Sequence, residues 1–259
     1  QNILFRHAKP EDYISISTNV PYNDKFSWEH VHVRTCMDLF RSFLVDAPSL
    51  HNFLKIMSTT LTGVYNSRTV HALKGTDIRL KQFIVTLLKE VYDDYFVSGT
   101  FDIPYEKFYT FKGKRVAFHD CDDDHSLDKL HVKMLVGGDS FCSRNGYVVT
   151  ISPVVFLTYT NTINIPNCDK ATIMRLNLVN LPGSCDQDFD QIADLASAFL
   201  WIMTQYYPIY VTEGLNHNPI DPNDIIPDAV ATSDVVIPDA IATPDVDIPV
   251  PPRSTCSIM

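Results

Sequence analysis

The chain has 259 residues, of which 45% are hydrophobic and 11% aromatic, and 31 acidic residues outnumber 21 basic ones for a formal net charge of −10. This composition excludes a wholly disordered chain, and no apolar run reaches the length of about 18 residues that a membrane-spanning helix needs. The length allows one large domain or one domain with a tail. The sequence begins at Gln1, without Met and without the apolar core of a signal peptide, so we expect a fragment or a processed chain.

The negative charge is concentrated near the C-terminus. Residues 221–259 contain seven Asp and one Arg, a balance of −6, whereas the other 220 residues carry only −4. An acidic pI normally argues against a nucleic-acid partner. Because most of the acidity belongs to the tail, that argument does not apply to the rest of the chain.

Six cysteines are scattered along the sequence, and none forms a C-x-x-C pair or a spacing typical of a zinc site. They are Cys36, Cys121, Cys142, Cys168, Cys185 and Cys256. An even count allows disulfides, but nothing in the sequence indicates secretion. We expect reduced, mostly buried thiols in an intracellular protein of the cytoplasm or nucleus.

Predicted helices and strands alternate after a mixed N-terminal stretch of residues 1–45. In chain order, hydrophobic spacing predicts helix 50–64, strand 69–75, helix 79–96, strand 115–120, helix 126–135, a hairpin over 140–152, strand 154–161, strand 172–181 and helix 189–207. Asn145-Gly146 marks the hairpin turn. The alternation predicts an α/β sheet domain with helical pieces before and after it.

The C-terminal segment has a different character. Residues 225–235 and 236–246 are two copies of an 11-residue unit with 8 of 11 positions identical. Regularly spaced Pro residues exclude helix and sheet interiors, and there are no aromatic residues to form a core. We therefore expect residues 217–259 to form an extended, disordered arm.

One segment has the order strand, polar loop, helix that nucleotide-binding P-loops use. The P-loop pattern is G-x-x-x-x-G-K-[ST], in which backbone N–H groups wrap the phosphates, the Lys binds phosphate and the hydroxyl holds Mg²⁺. Here Gly75 and Lys81 have the required separation, but Leu80 replaces the second Gly and Gln82 replaces the hydroxyl residue. Taken alone, the segment is also compatible with an ordinary strand–turn–helix.

Acidic residues follow the buried strand 115–120. Asp120 and Asp122 lie where Walker-type ATPases hold Mg²⁺ and polarise water, at the carboxyl end of a strand. A calcium loop of the EF-hand type is excluded, because His125 replaces the Gly of position six and His131 replaces the final Glu. A metal site formed by these two histidines and His119 is a further alternative.

The order of these segments resembles the C-terminal helicase domain of viral superfamily 3 helicases, in particular the poxvirus-type primase-helicases of large DNA viruses and phages. The similar segments, over roughly residues 14–215, are SISTNVPYNDK, FLKIMSTTLTGVYNSR, LKGTDIRLKQF, RVAFHDCDDD, LDKLHVKMLVGGDSFCSRNGY, VVFLTYTNTINIPNCDKATIMRLNLVNLP and SAFLWIMTQYYPIYVTEGL. The resemblance implies an AAA+-like P-loop ATPase core. We expect a helical region at 1–65, the ATPase domain at 66–216 and the arm at 217–259.

The resemblance also implies a function and roles for individual residues. It implies a homo-oligomeric ring that uses ATP and Mg²⁺ to move along single-stranded DNA during viral DNA replication. By this resemblance Gly75, Lys81 and Gln82 would bind nucleotide, Asp120 with Asp122 would serve Mg²⁺ and water, and Asn161 would sense phosphate. Lys133 and Arg144 would contact DNA. Arg175 would act across the subunit interface, and Met174 stands in place of the arginine before it.

Three positions of the nucleotide site depart from the family pattern. Leu80 puts a branched side chain where the backbone must approach phosphate, Gln82 removes a metal-binding hydroxyl, and Asp120 replaces a longer Glu. The sequence is therefore compatible with an impaired ATPase or with a non-catalytic descendant that serves as a structural or interaction protein. An unrelated α/β domain is a third alternative, which adjacent parallel strands at 69–75, 115–120 and 154–161 would exclude.

The last four residues, Cys256-Ser-Ile-Met259, fit the C-a-a-X pattern for prenylation. A host prenyltransferase could reach Cys256 through an extended arm, and the modified chain would associate with a membrane surface. A single isoprenoid gives only marginal binding, and no polybasic stretch accompanies it. We expect this modification only in a eukaryotic cell.

Overall fold

The computed structural model describes residues 18, 20–44, 46–62, 68–99, 110–121, 127–137, 140–142, 148–150, 153–185 and 192–226. The chain divides into two compact units, residues 1–229 and 230–259, and the second unit lies outside the described residues. Three predicted site residues, Asp122, Arg144 and Cys256, also lie outside them. The fold described below belongs to the first unit.

A five-stranded parallel sheet forms the centre of the first unit. Its strands in spatial order are β2 (Phe96–Ser98), β3 (Val116–Asp120), β6 (Val154–Tyr159), β1 (Val70–Lys74) and β8 (Leu176–Asn180). β6 lies between β1 and β3, so the strands predicted at 69–75, 115–120 and 154–161 are adjacent and parallel. The predicted fold class, an α/β sheet with a P-loop-like core, is confirmed.

The central strands are apolar along most of their length because both faces of the sheet are covered. Successive side chains of a strand point to opposite faces. Leu73 and Phe156 belong to a large cluster on one face, and Ala72 and Leu157 belong to a second cluster on the other. β1, β2, β3 and β8 each end in a polar residue, which places polar groups at the carboxyl edge of the sheet.

Four helices pack around the cluster that contains Leu73 and Phe156. They are α1 (Val31–Phe43), α2 (Ala47–Thr59), α3 (Ile78–Tyr92) and α6 (Ile192–Glu213). α6 is apolar around most of its circumference in its first four turns because it contacts α1, α2 and α3. None of the helices among the described residues is long and apolar enough to cross a membrane.

Shorter elements accompany the second cluster. They are α4 (Lys129–Gly137), α5 (Lys170–Ile173) and a small parallel pair formed by β7 (Ile163–Asn164) and β9 (Ile225–Ile226). β4 (Ser140–Cys142) and β5 (Val148–Thr150) pair in antiparallel fashion, which confirms the two strands of the predicted hairpin, and its Asn145-Gly146 turn lies outside the described residues.

The structure corrects two of the predicted elements. The helix predicted over 79–96 ends at Tyr92, because Asp93 adopts a φ of 41° and a short 3-10 turn leads directly into β2. The strand predicted over 172–181 begins only at Leu176, because the Asp169 side chain accepts a hydrogen bond from the Thr172 backbone N–H and caps the short helix α5.

Residues 217–226, which we call the strap, pack against the sheet although the sequence assigns them to the arm. Leu178 N–H on the edge strand β8 donates to the Asn218 carbonyl over 2.7 Å. Ile220 and Ile225 are buried in the second cluster. The packed body therefore extends at least to Ile226, past the domain boundary expected at residue 216.

Candidate functional site

A cleft of about 480 Å³ lies between α3 and the carboxyl ends of β2, β3 and β6. In sheets of this type, ligands bind outside the carboxyl ends of the strands. The cleft is lined by Ile78, Lys81, Gln82, Val85, Thr86, Ser98, Gly99, Phe118, Asp120, Thr158 and Thr160. Three residues predicted to form the site, Lys81, Gln82 and Asp120, thus lie on one cleft.

Lys81 lies in the second turn of α3 and points towards the end of β6. Its residue exposure is only 8%, and its Nζ donates a hydrogen bond to the Thr160 Oγ1 over 3.1 Å. Among the described residues, no carboxylate lies within ion-pair distance of this ammonium. The cleft therefore presents a cation whose hydrogen-bond partner is neutral.

Asp120 ends β3 and faces the same cleft. The Thr158 hydroxyl donates to Asp120 Oδ1, and the backbone pairing of β3 with β6 places Asp120 directly opposite Thr158. Thr158 is fully buried, whereas Asp120 is exposed. One carboxylate oxygen is thus held by the sheet and the carboxylate itself remains accessible.

The turn between β1 and α3 is too short to surround phosphates. β1 ends at Lys74 and α3 begins at Ile78, which leaves the three residues 75–77 between them. The Asp77 side chain caps α3: its Oδ1 accepts from the N–H groups of Arg79 and Leu80 at 2.8 and 3.4 Å. These are the helix N-terminal amides that a P-loop offers to phosphate.

Asp77 also ties this turn to the segment that follows β8. Its Oδ2 accepts from the Cys185 backbone N–H over 2.7 Å. Burial raises the pKa of Asp77, but the N–H groups of Cys185, Leu80 and Arg79 outweigh that effect and hold the pKa below its usual value. One carboxylate therefore occupies two backbone donors at the start of α3 and a third at Cys185.

The other residues of the predicted loop serve the packing of the fold. A Cβ on Gly75 would lie 3.0 Å from the Leu181 carbonyl oxygen, so glycine is required for a close approach of two backbones. Leu80 is fully buried in the helical cluster. Gln82 is exposed and lines the cleft with an amide, which is a weaker metal ligand than a carboxylate.

The turn before α3 is where the resemblance predicts that ATP and Mg²⁺ bind. A triphosphate cradle needs free helix N-terminal amides, a glycine loop and a hydroxyl on the metal. In this chain Asp77 occupies the amides, the turn has three residues, and Gln82 replaces the hydroxyl residue. The residues present do not fit that cradle, and ATP and Mg²⁺ remain predictions from the resemblance.

Asn161 and Arg175 lie apart from the cleft. Asn161 is exposed two residues beyond the end of β6, and Thr158 and Thr160 line the cleft instead. Arg175 precedes β8 at the amino edge of the sheet, where its carbonyl accepts from Val70 N–H and its Nη1 donates to the Ala171 carbonyl. A five-residue strand spans about 13 Å. Within one chain, Arg175 is therefore at the opposite edge from Asp120.

Lys133 projects from α4 and forms an ion pair with Asp169 at 2.5 Å. The Lys133 and Thr172 hydrogen bonds hold the pKa of Asp169 far below its usual value. The charge of Lys133 is thus already paired within the chain, and a DNA contact through Lys133 remains a prediction.

Thr158, Thr160 and Ser98 line the cleft but were not predicted to be site residues. The two threonines alternate with apolar residues along β6, so they share the face that carries Phe156. Alternation at the end of the predicted strand could have placed both of them beside Asp120. Ser98 gave no such signal because β2 has only three residues.

A second polar cluster joins the strap to the sheet. Lys74 Nζ contacts both Asp224 carboxylate oxygens, at 2.7 and 2.8 Å, and the Tyr159 hydroxyl donates to Asp224 over 3.3 Å. Burial and the nearby Asp224 carboxylate raise the pKa of Tyr159. Lys74, at the end of the central strand β1, is therefore neutralised by the strap.

A buried imidazole lies below the other end of the strap. Asn177 Nδ2 bonds to His71 Nδ1 over 3.1 Å, and Asn177 Oδ1 accepts from Asn218 N–H over 2.7 Å. Burial, with a smaller contribution from His217, lowers the pKa of His71 to about 3. The imidazole is neutral in the folded protein.

No family model matches this chain, and no curated protein matches it. The A-form apo structure of the NrS-1 C-terminal region is similar to it with a TM-score of 0.50 and 14% identity, over 70% of this chain and 47% of that one. Two further apo structures of that region have TM-scores of 0.48 and 0.47 at 14% identity, and cover 71% and 80% of this chain and 46% and 50% of theirs. The chain thus spans about half the length of these structures. At this identity the likeness shows the fold alone, an α/β core built on a parallel sheet.

Proposed function

We propose that this chain is a helicase-family domain of the viral superfamily 3, poxvirus-type kind that does not hydrolyse ATP and acts as a structural or interaction domain in DNA replication. The observation that carries the proposal is the three-residue turn before α3, closed by the Asp77 carboxylate. The helicase-like fold supports the family, and this turn supports the loss of turnover.

The physical argument concerns charge and position. Phosphoryl transfer depends almost entirely on holding the phosphates and neutralising their charge. A carboxylate on the amides of α3 would repel a phosphate at the same place, because both groups are anions that need the same N–H donors. Among the described residues that line the cleft, Lys81 supplies one cation and Asp120 one metal-binding carboxylate, which is too little to organise a triphosphate.

The partners belong to the same proposal. Single-stranded DNA and a homo-oligomeric ring are what the family resemblance implies, and the body of the chain carries little net charge that would oppose DNA binding. Arg175, at the edge of the sheet opposite the cleft, would have to act on a neighbouring subunit if it acts at all.

A DNA-binding measurement tests this proposal. The affinity of the full chain for a single-stranded oligonucleotide is measured at one fixed salt concentration, with and without ATP and Mg²⁺. A non-catalytic domain binds with the same affinity in both conditions. A nucleotide-dependent affinity would support a motor instead, and absence of DNA binding would remove the nucleic-acid partner from the proposal.

ATP-dependent translocation on DNA is a second candidate function. The observation that favours it is the meeting of Lys81 and Asp120 in one cleft at the carboxyl edge of a P-loop-like sheet. Under this alternative the turn before α3 must rearrange when nucleotide binds, and Asp77 must leave the α3 amides. ATP-dependent loss of the Cys185 N–H hydrogen bond, followed by amide exchange, would be its signature.

A further inference from the structure

Lys81 lines the cleft, and its ammonium has no anionic partner among the described residues. Burying an ammonium is costly unless an anion and further hydrogen bonds compensate for the lost water. Lys81 is nine-tenths buried, and its hydrogen-bond partner among the described residues is the neutral Thr160 hydroxyl. This arrangement points to an anionic group that the cleft receives from outside.

The surroundings of Lys81 limit how much negative charge the cleft can take. The α3 amides and Cys185 N–H are already bound to Asp77, and the strap neutralises Lys74. Asp120 adds a negative charge on the same cleft. Lys81 is the one cation among the described residues that line the cleft, so a single anionic group matches it, whereas a triphosphate would bring several charges without partners.

The cleft also has an apolar wall. Ile78, Val85 and Phe118 line it together with the hydroxyls of Thr158, Thr160 and Ser98. Small-molecule sites commonly combine such a wall with a few polar groups that fix orientation. The cleft volume of about 480 Å³ is in the range of small-ligand sites, about 300–1,000 Å³.

We propose that this cleft binds a small amphipathic ligand with one anionic group, a carboxylate or a phosphate monoester, which pairs with Lys81 while the apolar part lies against Val85 and Phe118. Thr160 then holds Lys81 in place and remains within reach of the bound anion. The inference deepens the proposed function and rests on it, since it assigns a ligand to a cleft that has lost the triphosphate cradle.

Phenylacetate and phenyl phosphate are suitable probes, because they share an aromatic ring and differ in the anionic group. Binding to the full chain is measured by calorimetry and by methyl NMR, together with inorganic phosphate and with ATP plus Mg²⁺. We expect at least one aryl anion to bind more tightly than inorganic phosphate and than ATP, with shifts at the Val85 and Thr160 methyls. The aryl anion that binds more tightly shows whether the cleft prefers a carboxylate or a phosphate monoester.

Two variants complete the test. Lys81→Met removes the ammonium with little change of volume and is expected to weaken the aryl anion at least tenfold. Lys89→Met changes an exposed lysine of the same helix and is expected to leave binding unchanged. If Lys81→Met fails to fold, the methyl shifts of Val85 and Thr160 in the wild-type protein still show whether the aryl anion binds in this cleft.

Three results would overturn the inference: no binding of either aryl anion, binding that Lys81→Met leaves intact, or tighter binding of ATP with Mg²⁺ than of both probes. Failure of the proposed function is separate from these results, since it would appear as ATP turnover in an independent assay.

Discussion

At the scale of single residues, Asp77 determines what the start of α3 can bind. Its two oxygens accept from Arg79, Leu80 and Cys185, so one side chain caps the helix and fixes the segment after β8. The same carboxylate makes the local field unfavourable for a bound phosphate. The cap of α3 and the occupation of its first free amides thus have one cause.

Replacing Asp77 tests its role in stability. Asp77→Ala is expected to lower the free energy of unfolding by about 0.5–2 kcal/mol, the usual contribution of a helix N-cap. Asp77→Asn, which keeps a capping oxygen, is the matched control and should lose less. Urea denaturation at pH 7 measures both. An Asp77→Ala protein as stable as the wild type would contradict the capping role.

His71 predicts a pH dependence. Its folded-state pKa of about 3 lies below the ordinary value of 6.5, so between these values the unfolded chain binds more protons than the folded one. The contribution of neutral His71 to the free energy of unfolding is fully present above pH 6.5. It is lost as the pH drops towards 3, with a slope of up to about 1.4 kcal/mol per pH unit.

Denaturation of His71→Gln, which cannot titrate, provides the comparison for this prediction. The difference in unfolding free energy between wild type and variant should change with pH between 6.5 and 3 and should be constant above pH 7. A difference that is independent of pH over the whole range would show that His71 is not buried in its neutral form.

At the scale of elements, α2 and α6 are joined by a charge pair with one buried member. Lys55 on α2 has a side-chain exposure of 3% and donates to Glu213 at the end of α6 over 3.2 Å, and His51 contacts the same Glu213 oxygen over 3.1 Å. Hydrogen bonds from His51 and Lys55 lower the pKa of Glu213. The pair holds the end of α6 where the strap begins.

Glu213→Gln removes the negative charge and leaves the Lys55 ammonium buried without an anion. We expect the unfolding free energy to fall, by less than for a fully buried pair, because Glu213 is half exposed. Asp38→Asn breaks the exposed Arg41 pair and is the matched control, with an expected loss below about 1 kcal/mol. Equal losses in the two variants would contradict the account.

The strap gives an element-scale prediction of local opening. Asp224→Asn weakens its ion pair with Lys74, so amides of residues 217–226 should exchange with solvent several-fold faster while those of β1 and β6 are unchanged. Hydrogen-exchange mass spectrometry measures this. Uniform acceleration across the body would show that the strap does not open separately.

Much of the element order could be predicted from the sequence because the central strands are buried on both faces and read as apolar runs. The bounds of α1 within the helical region expected at 1–65 were not predicted, although Val33, Met37 and Phe40 follow helical spacing, because polar residues and aromatics obscure the pattern. The strap was missed for another reason. Its Pro and Asp residues resemble those of the arm, and only tertiary contacts of Ile220, Ile225 and Asp224 hold it to the sheet.

The candidate site was predictable only in part. Lys81 and Asp120 stand at expected positions of the chain, and the parallel sheet brings them together. The length of the turn before α3 was not inferred, although Asp77 immediately before a helical pattern is a recognised N-cap signal. The P-loop pattern predicts a loop from Gly75 to Leu80, whereas Asp77 as an N-cap indicates that the helix begins at Ile78.

At the scale of the whole molecule, the structural likeness at 14% identity concerns the fold alone. The parallel strands at the centre of that fold are buried on both faces, which constrains them to apolar side chains along most of their length. At the carboxyl edge of the sheet, two carboxylates of the chain have partners within it: Asp77 accepts from backbone amides of α3, and Asp224 pairs with Lys74.

The most direct test of the central claim is steady-state ATP hydrolysis by the full chain with Mg²⁺, with and without single-stranded DNA. Because Asp77 closes the amides that a triphosphate needs, we predict turnover no greater than that of a Lys81→Ala control in either condition. DNA-stimulated hydrolysis that Lys81→Ala abolishes would contradict this account and establish a working motor.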